Sequence, residues 1–361
     1  MNVGIAGPVD INLLREYLDK ESQERHKYIT GIGVNVSPLV SNIIISLINK
    51  ELELSVFTFD KSVKEMMVFS GERIKIYVNP YRLKHRARDF FKEEIKYLLK
   101  AIKIANPDLI HAHWTYEYAI AALQSGKPHL ITVHDWAPQS FILTSIIYKP
   151  YRFMTLLMNI YTLICGKNFT ANSLYTQQKM KSIGHKHVVL IPNALPDEIF
   201  KKQEKKINFS YPQIISINNG FGKLKNITSL LKAFKLIKKQ NSEVKLTLLG
   251  NDYGEFEKAH TWAINNKLEK GVYFAGSKSH KEILKMLEES DLLIHPSRQE
   301  SFGSTLIEAM AKKTSVMGGN NSGGVPWVLD YGKAGILIDV NSPVNIAEET
   351  IKLLKDPIRL R

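Results

Sequence analysis

Cysteine is nearly absent: Cys165 is the only one in 361 residues. A single thiol cannot build a disulfide framework or a cysteine zinc site, and such scarcity fits a reducing cytoplasm. Long apolar runs are absent as well. The longest, Phe153–Cys165, is broken by threonine and asparagine and is too short to cross a bilayer, so it is expected to form a buried helix with Cys165 in the core. The opening residues, MNVGIAGPVDINLLREYLDK, lack the basic start and apolar centre of a secretion signal. No low-complexity tract and no short-period repeat interrupts the chain. What remains is an ordinary globular composition, 44% apolar and 23% charged, long enough for two domains.

Acidic residues are also in short supply, 35 against 49 lysines and arginines, which leaves a formal charge of +14. Much of that charge is expected on solvated surface. No helix-turn-helix, zinc-finger or RNP-like pattern accompanies it, so nucleic acid is not the expected partner. An anionic membrane surface or an anionic small molecule fits better. The segment Tyr81–Lys100 is a candidate basic amphipathic helix, either lying on lipid headgroups or covering a sheet with its cations outward.

Short apolar runs alternate with helical patterns. Strands are expected at Val3–Ala6, Leu54–Phe59, Ile74–Val78, Leu109–His113, Leu130–His134 and Val188–Ile191, with helices near Pro38–Asn49, Asp89–Ile104, Tyr116–Gln124 and Tyr175–Ile183. The rhythm then restarts, with strands at Ile214–Ile217, Val244–Leu249, Val272–Phe274, Leu292–His295, Ser315–Met317 and Ile336–Val340. Helices are expected among them near Asn226–Lys239, Phe256–Asn266, His280–Glu289, Thr305–Lys312 and Pro343–Leu354. Continuous apolar strands alternating with helices predict parallel sheets covered on both faces. The fold class expected is therefore α/β, with two Rossmann-like, doubly wound domains. Their boundary is placed at 203/204, within the charged run Phe200–Phe209.

In such sheets ligands sit beyond the carboxyl ends of the strands. Chemistry-bearing residues gather there: His111 and His113 with Trp114, His134 and Asp135 with Trp136, and His295, Arg298 and Glu300. Glycines cluster at Gly31/Gly33 and over Gly318–Gly324. In ESFGSTLIEAM, Glu300 lies in a loop after a strand and Glu308 lies in what reads as the first turn of a helix. A helix N-terminus binds anions, and carboxylates beside it suit a ligand that carries phosphate and hydroxyls together. The bland alternative for Glu308 is a capping box with Thr305. His295 reads as a structural hydrogen-bonder, Asn193 as a turn residue, and Trp114 and Trp136 as packing or pocket-lining groups.

The ordered set Pro107–Trp114, Thr132–Asp135, Ile191–Asn193, Lys225 with Asn226, HPSRQESFGSTLIEAMAKK and Gly323–Pro326 resembles glycosyltransferase family four. These are retaining enzymes with an E-x7-E signature and the GT-B fold, two Rossmann-like domains facing across a cleft. The resemblance implies a metal-independent transfer of a hexose from a nucleotide sugar, with no resident cofactor. The acceptor it implies is a glycan or lipid-linked molecule in surface polysaccharide synthesis, at the inner membrane face. Glu308 would hold the ribose hydroxyls and Glu300 the transferred sugar. Phe302, Gly303, Ser304 and Thr305 would face the sugar and diphosphate. Lys225 would neutralise the departing diphosphate, His134 would lie near the reacting centre, and Gly33 would let the backbone approach the diphosphate.

The chain departs from the family pattern at Gly220, where an arginine is common; Lys223 is the nearest cation that could supply that charge. Trp327 stands where an acid is common, and Gly31–Gly33 lacks the usual glycine doublet. The ending at Lys355–Arg361 gives little room for the helix with which such chains return to the first domain. No Asp-x-Asp pair occurs, so metal-dependent sugar transfer lacks its usual ligand motif. Other readings are a sugar-nucleotide epimerase or phosphorylase on the same fold, a hydrolase with a metal on His111, His113, His134 and Asp135, or a non-enzymatic nucleic-acid-binding protein.

Overall fold

The computed structural model describes residues 1–25, 38–200 and 211–356. The chain divides into two compact units, Met1–Ile142 with Ile146–Leu195, and Pro196–Arg361 with Leu143–Ser145. The expected boundary at 203/204 lies outside the described residues, as do Gly31, Gly33 and residues 357–361.

The first unit runs β1 (Asn2–Ala6), α1 (Lys20–Arg25), α2 (Pro38–Ile48), β2 (Glu53–Asp60), β3 (Met67–Ser70), β4 (Ile74–Pro80), α3 (Lys92–Ala105), β5 (Leu109–His113) and α4 (Glu117–Gln124). It continues with β6 (His129–Val133), α5 (Ala137–Leu143), α6 (Lys149–Cys165), β7 (Phe169–Ala171), α7 (Leu174–Ser182) and β8 (Val188–Leu190). The strands form one sheet in the order β3-β4-β2-β1-β5-β6-β7-β8, parallel except for β3 at the edge. Neighbouring residues of one strand feed two different cores. In β2, Val56 packs with Leu14, Ile44 and Ile76, while Phe57 packs with Leu98, Ile110 and Ala119 on the opposite face. Burial on both faces is why these strands read as unbroken apolar runs.

The second unit holds β9 (Gln213–Ile217), α8 (Ile227–Gln240), β10 (Lys245–Leu249), α9 (Lys258–Asn265), β11 (Val272–Gly276), α10 (His280–Glu289) and β12 (Leu292–His295). It ends with α11 (Ser304–Ala311), β13 (Ser315–Gly319), α12 (Val325–Val328), β14 (Ile336–Ile338) and α13 (Pro343–Leu354). All six strands are parallel, in the order β11-β10-β9-β12-β13-β14. Leu292 and Ile294 enter one core with Phe234 and Leu230, and Leu293 enters the other with Leu306 and Val325.

Several expectations are corrected. Helix α3 starts at Lys92, because Phe90 and Phe91 both adopt left-handed backbone angles after a 3-10 turn at Arg86–Asp89. The turn is fixed by Arg82, whose guanidinium forks onto both Asp89 and Glu94. Helix α3 is a sheet-covering helix, with Ile95, Leu98 and Ile102 buried. Helix α6 is buried on one face only, through Thr155, Met158, Asn159, Thr162 and Leu163. Phe153, Leu157, Ile160, Tyr161 and Ile164 are exposed along one stripe, and Cys165 is exposed at its end. Strands β3 and β7, four and three residues long, carried too little pattern to be predicted. Among the described residues no helix is long and apolar enough to cross a membrane.

Candidate active site

In the second sheet the chain runs outward from β9 in both directions, so β9 and β12 flank the point where the strand order reverses. Three loops meet beyond their carboxyl ends: 218–226 after β9, 296–303 after β12, and 320–324 after β13. Backbone bonds lace them together. Arg298 N–H donates to the Leu224 carbonyl (2.9 Å), and Gly324 N–H to the Glu300 carbonyl (2.8 Å). The glycines are required by this contact. A Cβ on Gly323 would stand 2.3 Å from the Glu300 carbonyl oxygen, and one on Gly324 would stand 2.2 Å from that of Ser301. Beneath the loops, Ser297 Oγ donates to Asn218 Oδ1 (3.0 Å) and Ser322 Oγ to the Ser297 carbonyl (2.6 Å).

This scaffold joins two of the expected residues directly. Lys225 Nζ donates to Glu300 Oε1 at 2.6 Å, and His295 Nε2 lies 3.1 Å from the same oxygen. Both members of the pair are largely buried, with side-chain exposures of 22% for Lys225 and 18% for Glu300. Burial by itself would raise the Glu300 pKa, but the Lys225 charge and the His295 hydrogen bond outweigh it and hold the carboxyl well below its usual range. Asn226 fixes the Lys225 turn. It is buried in a left-handed conformation and donates to the carbonyls of Pro296 (3.2 Å) and Val340 (2.7 Å). Lys223 is exposed in the same turn.

Glu308 lies in the second turn of α11, not the first, and is not part of a capping box. The N-cap is Gly303, at φ 86°, without a side-chain cap bond. The Glu308 carboxylate instead meets His280 Nε2 at 2.9 Å. That hydrogen bond raises the His280 pKa against a smaller opposing effect of burial. Ser304 and Thr305 are half-exposed in the first turn of α11. Phe302 is buried, its ring centroid 6.1 Å from that of Trp327, so its side chain packs the loop. Trp327 takes its unexpected place for the same packing reason.

In the first unit, the ends of β5 and β6 bring the histidines together. His113 Nδ1 and His134 Nε2 are 2.9 Å apart, His111 Nε2 bonds Thr132 Oγ1 at 2.7 Å, and the Trp114 ring lies tilted against His134 with centroids 4.3 Å apart. Burial, with a smaller contribution from His111, lowers the His134 pKa to about 3, so its ring is neutral at physiological pH. Asp135 Oδ2 accepts from the Tyr116 hydroxyl at 2.7 Å. Trp136 is core. Since His113 is turned onto His134, the ring nitrogens do not converge on a point. Among the described residues no group of three or more histidine, cysteine or acidic side chains could hold a metal ion, which removes the support for the hydrolase reading.

The family model for glycosyltransferases group 1 matches residues 197–361, and the model for Glycosyltransferase Family 4 matches residues 37–198. The chain belongs to the family-4-type glycosyltransferases. An uncharacterised glycosyltransferase of Methanocaldococcus jannaschii is 26% identical over 342 residues, 92% of this chain and 86% of its own length. The fold matches that of sucrose-phosphate synthase from Thermosynechococcus elongatus, with a TM-score of 0.75 at 17% identity over 100% of this chain and 91% of that one. It also matches Anabaena HepE, solved in complex with UDP and glucose, with a TM-score of 0.67 at 16% identity over 100% of this chain and 91% of that one. The fold is thus GT-B, an α/β architecture with two parallel-sheet domains.

Within this glycosyltransferase the structure places Glu300, Lys225, Lys223, Gly303, Ser304, Thr305 and Glu308 on one unit, around connected loops. His134 belongs to the other unit, and Gly33 lies outside the described residues. Sequence reasoning missed His280 as the Glu308 partner. No spacing signal could have found it, because 28 residues separate the two. Asn218, Ser297 and Ser322 were missed for the same reason. His295 is the hydrogen-bonder it was expected to be, and its partner is Glu300.

Proposed function

We propose that this glycosyltransferase takes a hexose from a nucleotide-sugar donor bound on the second unit and passes it, with retention, to a hydroxyl of a glycan or lipid-linked acceptor. The observation that carries the reading is the Lys225–Glu300 pair beside the α11 N-terminus at the switch point of a parallel sheet. Departure of a nucleoside diphosphate develops negative charge. A lysine fixed by Asn226 and the N–H groups of the first turn of α11 stabilise that charge without reorganising. Glu300, kept ionised, accepts hydroxyls of the transferred sugar, and Glu308 accepts the ribose hydroxyls after exchanging its His280 contact. Neutral His134, on the first unit, is assigned a hydrogen-bonding role in this reading. An oxocarbenium-like state, with the acceptor entering on the face the diphosphate leaves, fits a site that offers no dedicated nucleophile. No metal or cofactor takes part in this reading.

The acceptor reading extends to a membrane. From 136 to 196 the chain contains no aspartate or glutamate but has six lysines and arginines, and this stretch includes the exposed apolar stripe of α6. An apolar face on an acid-free segment, with Lys92 and Lys96 as well as Asp89 lining the groove beside Leu157 and Tyr161, suits an anionic bilayer. Surface polysaccharide synthesis at the inner membrane face is the setting proposed.

The test is a thermal-shift panel of uridine, guanosine and adenosine diphosphates and their sugar conjugates on wild type and Glu308→Ala. One nucleotide series is expected to raise the melting temperature of wild type and to do so much less in the variant. No response to any nucleotide would refute the donor assignment.

A further inference from the structure

His280 stands at the ligand end of the second sheet, as the first residue of α10, just after the turn that leaves β11. Its Nε2 lies 2.9 Å from Glu308 Oε1, and the two side chains are 37% and 13% exposed. Among the described residues the Glu308 carboxylate has no other hydrogen-bonding or ionic partner. The bland account of this contact is a tie between α10 and α11, but the two helices do not need one. Leu287 of α10 shares a core with Leu306 and Ala309 of α11, and Ile283, Leu284 and Met310 pack against it. The Ser279–Glu282 capping box already starts α10, and Gly303 starts α11. The pair therefore serves the carboxylate rather than the fold.

A ribose presents two adjacent hydroxyls, which suit the two oxygens of one carboxylate. In the free protein His280 holds one of those oxygens. The same hydrogen bond, against a smaller effect of burial, raises the imidazole pKa from its ordinary value. Glu308 is the only carboxylate within ion-pair distance of His280 among the described residues. On its own helix, Glu282 is bonded to Ser279, while Lys278 and Lys281 are exposed. On α11, Lys312 follows Glu308 by one turn. A ligand that takes Oε1 removes the support for a charged imidazole, and the ring returns to the ordinary histidine value of about 6.5.

We propose that His280 is a positioning residue of the donor site: it holds Glu308 Oε1 in the free protein and gives that oxygen up to the ribose, so that donor binding expels the imidazolium proton. The proposal rests on the assignment of Glu308 to the donor ribose. The proton goes to the buffer, the carboxylate stays ionised, and ribose O–H groups replace the lost donor. Above the raised His280 pKa the ring is neutral in both states, and affinity does not change with pH. As pH falls through that value the free protein takes up a proton that the complex lacks, and affinity falls. Below about 6.5 both states carry the proton and affinity levels off.

The test is calorimetry on the full chain with UDP-glucose, GDP-glucose and ADP-glucose, from about pH 5.5 to about pH 8, in buffers of different ionisation enthalpy. Their doubly esterified diphosphates do not titrate in that range, so a released proton comes from the protein. The nucleotide sugar that binds is expected to release a fraction of a proton near neutral pH. It is expected to bind about two- to fivefold more weakly at the acid end, the range open to a partly exposed ion pair. His280→Gln keeps an N–H donor that does not titrate, and is expected to abolish both effects. His295, the histidine beside Glu300, is unchanged in that variant, so the difference belongs to His280. In wild type, the His280 imidazole resonance is expected to titrate above about 6.5 in the free protein and to fall toward that value at saturation. Equal proton release and equal pH profiles in the two proteins would overturn the proposal, as would a His280 titration that saturation leaves unmoved. In either case a nucleotide sugar that binds keeps the donor reading. If none binds at any pH, the donor reading falls and this proposal falls with it.

Discussion

Replacing Lys225 by methionine removes the ammonium and keeps most of the side-chain volume. The variant leaves the Glu300 carboxylate largely buried with His295 Nε2 as its neighbour at 3.1 Å. Breaking a buried ion pair from one side costs about 3–5 kcal/mol. About a fifth of each side chain still meets water, so the lower end applies, about 3 kcal/mol, or roughly 6–12 °C in the melting temperature of a body this size. The pH dependence carries a sign. The Glu300 pKa is depressed in the folded protein, so its contribution is present above the ordinary carboxylate value and is lost only as pH falls through the lower folded value. In Lys225→Met the burial effect persists while its strongest opponent is gone. Glu300 then takes up a proton at higher pH, and the deficit against wild type narrows as the solution is acidified. The assay is thermal unfolding followed by circular dichroism between about pH 4 and pH 8, without ligand, on wild type, Lys225→Met, Glu300→Gln and the double variant. The double variant is expected to recover much of the loss, with a coupling of about 1–3 kcal/mol. A single variant that melts within about 1 °C of wild type at neutral pH, or a deficit that does not narrow in acid, would refute the reasoning.

Further outcomes follow from the same geometry. Gly324→Ala should push the Ser301 carbonyl and the Glu300 loop aside, since its Cβ would start 2.2 Å from that oxygen; nucleotide affinity should fall at least tenfold, and unchanged binding by calorimetry would count against the loop packing. The first unit should lose stability as pH falls below about 6.5. His111 and His134 have pKa values lowered to about 4 and about 3 by burial, and each unfolded imidazole takes up a proton the folded one refuses, at up to about 1.4 kcal/mol per pH unit per histidine. A flat melting curve between about pH 7 and 5 would contradict this. Ile160→Asp on the exposed stripe of α6 should abolish cosedimentation with vesicles containing phosphatidylglycerol and leave nucleotide binding unchanged; equal cosedimentation would remove α6 from the membrane reading.

How much was legible in advance depended on the range of the signal. Strands buried on both faces announce themselves locally, as Leu54–Phe59 and Leu292–His295 do, because most of their positions are apolar on both faces. Gly323 and Gly324 were visible as glycines, but the reason for them, carbonyl oxygens of the Glu300 loop in contact, was not. Helix α6 was misread because its buried face carries Thr155, Asn159 and Thr162, the last two bonded to Thr115, while much of its apolar content faces outward. The start of α3 was misplaced because Phe90 and Phe91 take left-handed angles imposed by the Arg82 fork, an interaction spanning seven and twelve residues.

By itself the sequence determined the class of the molecule. Apolar periodicity dictates parallel sheets with helices on both faces, their strand ends collect the polar residues, and the spacing of Glu300 and Glu308 puts one in the loop after a strand and the other on the helix that follows. Those are consequences of bonding and burial within a few turns of chain, and the order of residues encodes them directly. Tertiary structure alone decided the partners: Lys225 on Glu300 across 75 residues, His280 on Glu308, His113 on His134, and Arg86 on Tyr151 across 65. Pairings at that range are set by how loops from different strands pack at one sheet end. Protonation and orientation follow from the pairings, because a buried charge is governed by whatever touches it.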